Sequence, residues 1–155
     1  MSKRYLILSI FALSVVSAMD AHFLSEKRIM NFTDMFGGAE THKSWQKLSK
    51  TSQLNAIYQE SKEKHVAIFK HSTSCGISHM VKDQIQNGYD IDENVLSFYY
   101  LDLLSYRPIS NNVAEKFKIP HQSPQLLLIK DGEVVYHASH HSINLDSIRN
   151  HLRAL

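Results

Sequence analysis

The chain has 155 residues, 43% apolar and 21% charged, with a formal charge of +2; this suits one domain with a packed core and excludes a largely disordered chain. The excess charge lies in the first 29 residues, in Lys3, Arg4, Lys27 and Arg28 against Asp20 and Glu26, and the charge-balanced remainder gives no footprint for nucleic acid. A single cysteine, Cys75, rules out an internal disulfide and any disulfide scaffold.

At the N-terminus MSKR precedes YLILSIFALSVV and then SAMDA. A basic start, a short apolar run and small residues at Val16 and Ala18 fit a signal peptide, residues 1–18, cleaved after Ala18. The run is too short to predict a transmembrane helix. A second reading takes Met30, which begins MNFTDMFGG, as the natural start and residues 1–29 as an in-frame extension. Residues 30–44, with Gly37-Gly38, read as a flexible lead-in, and the domain spans 45–155 with Trp45 packed onto it.

Leu54, Ile57 and Tyr58 fall at i, i+3, i+4 and predict a helix over 51–62 with one buried face. HVAIFKH, residues 65–71, is a continuous apolar run and predicts a buried strand. After Ser72-Thr73-Ser74, the stripe Ile77, Met80, Val81, Ile85 predicts a helix that Asn87-Gly88 stops. VLSFYYLDLL, residues 95–104, is a second strand, and Pro108 opens a helix buried through Ile109, Val113 and Phe117. QLLLI, residues 125–129, is a third strand, joined by the Asp-Gly turn of Lys130-Asp131-Gly132-Glu133 to VVYHAS. Asn144 caps a last helix buried through Leu145, Ile148 and Leu152. The early alternation demands right-handed crossovers and parallel strands, and the hairpin adds an antiparallel edge. The expected fold is α/β: a mixed central sheet with helices on both faces and a C-terminal β-hairpin plus helix.

Cys75 falls where strand passes into helix. With Ser74 as N-cap, it is the first helical residue, where free N–H groups and the helix dipole stabilise a thiolate. Lys70, His71 and His79 are expected to add positive charge, His79 from one turn further on. Ser72, Thr73, Ser74, Gly76 and Ser78 pack a core poorly, so Cys75 reads as a reactive thiol rather than a core residue. Ser123-Pro124 precedes the third strand, where proline cannot donate to the sheet and an X-Pro bond is cis at low cost. Such a loop beside a helix-terminal cysteine can pair with a substrate's backbone, which marks Ser123 and Pro124 as substrate-binding candidates. Arg107, at a strand-to-helix turn, is a candidate for an anionic group; Trp45 and Tyr106 read as core or rim packing. His137, His140 and His141 form HASHH, but with Cys75 and His79 their spacing matches no standard zinc pattern, so no metal is expected.

Residues 65–155 resemble a thioredoxin-fold domain, with QSPQLLLIKDGEVV similar to its closing cis-proline strand and hairpin. Cys75-Gly76-Ile77-Ser78 is C-x-x-S, with Ser78 where a resolving cysteine would stand and Gly76 where many relatives have proline or serine. More narrowly, FKHSTSCGIS, YYLDLLSYRPISN, HQSPQLLLIKDGEVV and HASHHSI together are similar to the YtxJ family of monothiol bacilliredoxins. The resemblance implies that Cys75 is the nucleophile that removes bacillithiol from S-thiolated client proteins and that a second low-molecular-weight thiol regenerates it. Bacillithiol is then a co-substrate and no cofactor is bound. Ser78 is expected to hydrogen-bond the thiolate, and His71, Arg107, Ser123 and Pro124 to contact substrate. Alternatives are a glutaredoxin-like reductase for another small thiol and a non-catalytic redox adaptor. Because the family works with a cytosolic thiol, the resemblance favours a start near Met30 and a cytoplasmic protein over an exported one.

Overall fold

The structure is a computed structural model that describes residues 41–154; the signal-peptide and extension readings of 1–29, and most of the 30–44 lead-in, lie outside the described residues. Its elements are β1 (Gln46–Lys47), α1 (Gln53–Glu60), β2 (His65–His71), α2 (Gly76–Asn87), β3 (Leu96–Asp102), α3 (Arg107–Phe117), β4 (Gln125–Lys130), β5 (Glu133–Ser139), a 3-10 turn (His140–Ser142) and α4 (Leu145–Arg153). They build the expected mixed α/β sheet, of five strands in the order β1-β3-β2-β4-β5. β1 and β2 run parallel to β3, whereas β4 is antiparallel to β2 and to β5.

The middle strands are apolar on both sides because helices cover both faces. Alternate residues divide between two cores. Phe69, Phe98, Tyr100, Leu126 and Leu128 pack with Val81 and Ile85 of α2 and Ile148 of α4. Val66, Ile68, Tyr99, Leu101, Leu127 and Ile129 pack with Leu54 and Ile57 of α1 and Ile109, Val113 and Phe117 of α3. Trp45 caps the first core, its ring stacked 4.3 Å from that of Phe98. His42 packs against Tyr89 at 5.0 Å, so the lead-in is already docked at its last residues.

Three details depart from the sequence reading. β1 was not expected: both its side chains are exposed, so nothing in its sequence alternates. α1 is shorter than 51–62, and Tyr58 lies outside its buried face, 37% exposed. In α2 the buried side is Ser78, Val81, Lys82 and Ile85, while Ile77 and Met80 face outward, 39% and 51% exposed. An apolar pair in one helical turn had suggested a wider stripe than the sheet covers.

The hairpin turn and the last cap follow the sequence closely. Asp131 and Gly132 both have positive φ, 55° and 83°, as a two-residue Asp-Gly hairpin turn requires. Ser61, at the end of α1, ties this turn down: its carbonyl accepts from Asp131 N–H at 2.7 Å and its hydroxyl from Gly132 N–H at 2.9 Å. Asn144 Oδ1 accepts from Ser147 N–H at 2.8 Å and caps α4.

Candidate active site around Cys75

The parallel strands β2 and β3 end together, His71 opposite Asp102, and the chain leaves β2 through Ser72-Thr73-Ser74 to reach Cys75. Cys75 is the N-cap of α2, in extended conformation (φ −111°, ψ 118°), and Gly76 is the first helical residue. This corrects the expected Ser74 cap by one residue. The Cys75 N–H bonds Ser72 O at 3.3 Å and closes the turn, while the Cys75 carbonyl takes the first helical bond, from His79 N–H at 3.1 Å. The thiol is unpaired and partly exposed, at the positive end of a 12-residue helix.

Ser78 is engaged with the turn and the end of β2. It is fully buried, and its Oγ accepts from Ser72 N–H at 2.9 Å and lies 3.0 Å from His71 Nδ1. These contacts tie the turn after β2 to the first turn of α2. His71 is also not a surface contact. It is 1% exposed, lies edge-on to His79 with ring centroids 4.9 Å apart, and borders Tyr100 at 5.5 Å. Burial first, then the charges of His79 and Lys82, push its pKa down to about 4. It is therefore neutral near pH 7 and adds no charge to the thiol. His79 is exposed, and its Nε2 lies 3.0 Å from Thr73 O, which fastens the same turn from outside.

The Ser123–Pro124 bond is cis. Register places Pro124 one step beyond the Lys70–Gln125 pair, hence opposite His71, at the sheet end that carries the Cys75 turn. Pro124 O accepts from His140 N–H at 3.0 Å, which links this loop to the 3-10 turn, and that turn packs against α2. Ser123 Oγ is shielded from solvent with no hydrogen-bond partner among the described residues. Arg107 opens α3, exposed, with Nη1 3.5 Å from His121 Nε2. Lys70 is fully buried, donates to Gln125 Oε1 at 2.9 Å, and titrates at about 8, lowered by burial and then by Arg107. Tyr106 packs at the rim with Lys47 Nζ 5.4 Å from its ring centre.

Sequence reasoning missed the buried polar residues of this end, Lys82, Gln125 and Ser110, and the partner of Arg107, His121. Lys82 had a signal: it is i+4 from Ser78 and so shares its face. Among the described residues no group of three His, Cys, Asp or Glu side chains could hold a metal ion, and no helix is long and apolar enough to cross a membrane.

Residues 46–148 match the family model described as monothiol bacilliredoxin BrxC. Among solved structures, a candidate oxidoreductase with a thioredoxin fold is 31% identical, with a TM-score of 0.60 over 70% of this chain and 93% of that one. Malassezia sympodialis thioredoxin is 18% identical, with a TM-score of 0.57 over 72% of this chain and 90% of that one. Spinach chloroplast thioredoxin f is 13% identical, with a TM-score of 0.55 over 74% and 96%. The two thioredoxins show the fold: the sheet and its four helices are thioredoxin-like.

Proposed function

The chain belongs to the monothiol bacilliredoxin BrxC family and is a thiol-disulfide oxidoreductase, and from that premise we propose that Cys75 removes bacillithiol from protein mixed disulfides. The Cys75 thiolate attacks the bacillithiol sulfur of the client disulfide. A Cys75–bacillithiol disulfide forms and the client leaves as a thiolate, which takes a proton from water. A second bacillithiol thiolate then attacks the bacillithiol sulfur on Cys75. Bacillithiol disulfide departs and Cys75 is free again. Electrons balance: one client–bacillithiol disulfide and one free bacillithiol become one client thiol and one bacillithiol disulfide, so one disulfide bond breaks as another forms.

The observation that carries this reading is the lone, partly exposed thiol at the start of α2, with a buried serine in place of a resolving cysteine. The first backbone N–H groups of α2 lie at the thiol's end of the helix and are available as donors to a sulfur that exchanges there. The edge beside Ser123-Pro124 is suited to receive the client's extended backbone. The cycle needs a compartment that keeps bacillithiol reduced, which fits the cytoplasm.

Kinetics tests it. With an S-bacillithiolated client, the protein should release bacillithiol faster than free bacillithiol alone does, and Cys75→Ser should return the rate to that background. A Cys75→Ser variant with full activity would sink the assigned nucleophile. Wild type no faster than free bacillithiol would leave a redox adaptor.

A further inference from the structure

On the α1/α3 face of the sheet end, cations converge with no anion beside them among the described residues. Lys70 is fully buried, and its ammonium is held by a neutral amide, Gln125 Oε1. The same amide takes Gln122 N–H at 3.4 Å and donates through Nε2 to Pro120 O at 2.9 Å, so Lys70 shapes the loop that ends at Ser123-Pro124. Arg107 Nη1 lies 3.5 Å from His121 Nε2, and His121 Nδ1 lies 3.3 Å from the hydroxyl of Ser110, itself fully buried. Burial first, then Lys70 and Arg107, hold the His121 pKa below its usual value. Lys70 feels burial and Arg107 in the same sense, and no carboxylate offsets either. The ion pairs formed among the described residues use Lys64, Lys130 and Arg149. Buried charges are ordinarily paired. Here no carboxylate among the described residues fills that place.

We propose that Arg107, Ser110 and His121, backed by buried Lys70, form a subsite for a carboxylate of the small thiol that exchanges with Cys75. The guanidinium presents an exposed planar fork suited to a carboxylate. Lys70 lies one residue from the end of β2, the end by which the chain leaves to reach Cys75, so the cluster and the thiol share one end of the sheet. Arg107 and His121 contact the anion; Lys70 is a positioning residue that fixes Gln125 and the loop and adds charge from behind. The proposal rests on the reading that a small thiol exchanges with Cys75, and it adds which chemical feature of that thiol is read.

The test uses two small disulfides that react with Cys75 directly: dithiobis(nitrobenzoate), which carries carboxylates, and neutral dithiodipyridine. The readout is the ratio of their rates with the full-length reduced protein. Arg107→Gln should lower the anionic-to-neutral ratio about fivefold to tenfold, the scale of one lost charge-assisted hydrogen bond, and adding His121→Gln should lower it further. An unchanged ratio, or equal slowing of both probes, overturns the subsite. The former outcome would fit a reader of acidic client surfaces, which small probes do not engage. Neither probe needs bacillithiol or a client. Failure of bacillithiol turnover therefore leaves the ratio readable, and an unchanged ratio leaves turnover standing.

Discussion

His71 shows how burial alters the work a residue does. From its position beside the cysteine it was expected to bring charge to the thiol or touch substrate. At 1% exposure, with Nδ1 on the Ser78 hydroxyl, it instead joins the end of β2 to the first turn of α2. This has a pH consequence. Folded His71 binds its proton only below about 4, whereas an unfolded histidine binds it near 6.5. Between those values the unfolded chain holds more protons, so stability falls as pH drops through that window. The loss should reach about 3 kcal/mol by pH 4, at roughly 1.4 kcal/mol for each pH unit between the two values. Urea midpoints recorded from pH 7 to 4 should therefore decline, and His71→Gln should flatten that decline. An unaltered slope in the variant would mean that other groups carry the acid sensitivity. The identity of the residue was legible in the sequence. Its burial was not, because a strand end next to a polar turn looks exposed until Tyr100 and His79 are seen to close over it.

The glycines at two junctions between elements ask for opposite outcomes. Gly76 opens α2, and a Cβ there would meet no atom within 4 Å. Gly76→Ala should raise the unfolding free energy by about 0.5–1 kcal/mol, because the unfolded chain loses freedom that the helix start does not use. Gly132 has φ 83° and lies against the ring of Tyr58. Gly132→Ala should cost about 1–3 kcal/mol through backbone strain and overpacking of that ring. Chemical denaturation of the pair reads both, and a gain at Gly132 would contradict the turn geometry. Element types were legible throughout wherever apolar spacing was long: β2 spans residues 65–71 as expected, and β4 and α3 begin at or beside their proline signals. The stripe of α2 misled because Ile77 and Met80 are apolar yet exposed, whereas Ser78 and Lys82 are polar yet buried. Spacing reports hydrophobicity, and at this helix the inward face is chosen partly by hydrogen bonds.

At the scale of the molecule, the single sheet brings residues distant in sequence to one end: the Cys75 turn from β2, Arg107 after β3, and Pro124 before β4. Order of strands and helices was readable from periodicity, and the thioredoxin-like topology followed from the resemblance. The cation cluster was not readable, because Lys70, Arg107 and His121 meet only once β4 has paired with β2. The C-x-x-S motif was legible in the sequence, but not that its serine is buried and braces the loop after β2. What supports the functional reading is thus one partly exposed thiol at a helix start, in a chain with no second cysteine. Intact mass of the reduced protein, quenched by alkylation at intervals after mixing with an S-bacillithiolated client, tests this most directly. The expected record is one bacillithiol on Cys75 as the client loses it, vanishing when reduced bacillithiol is added. A client that sheds bacillithiol while Cys75 stays free for alkylation at every interval, at a rate set by free bacillithiol alone, would contradict it.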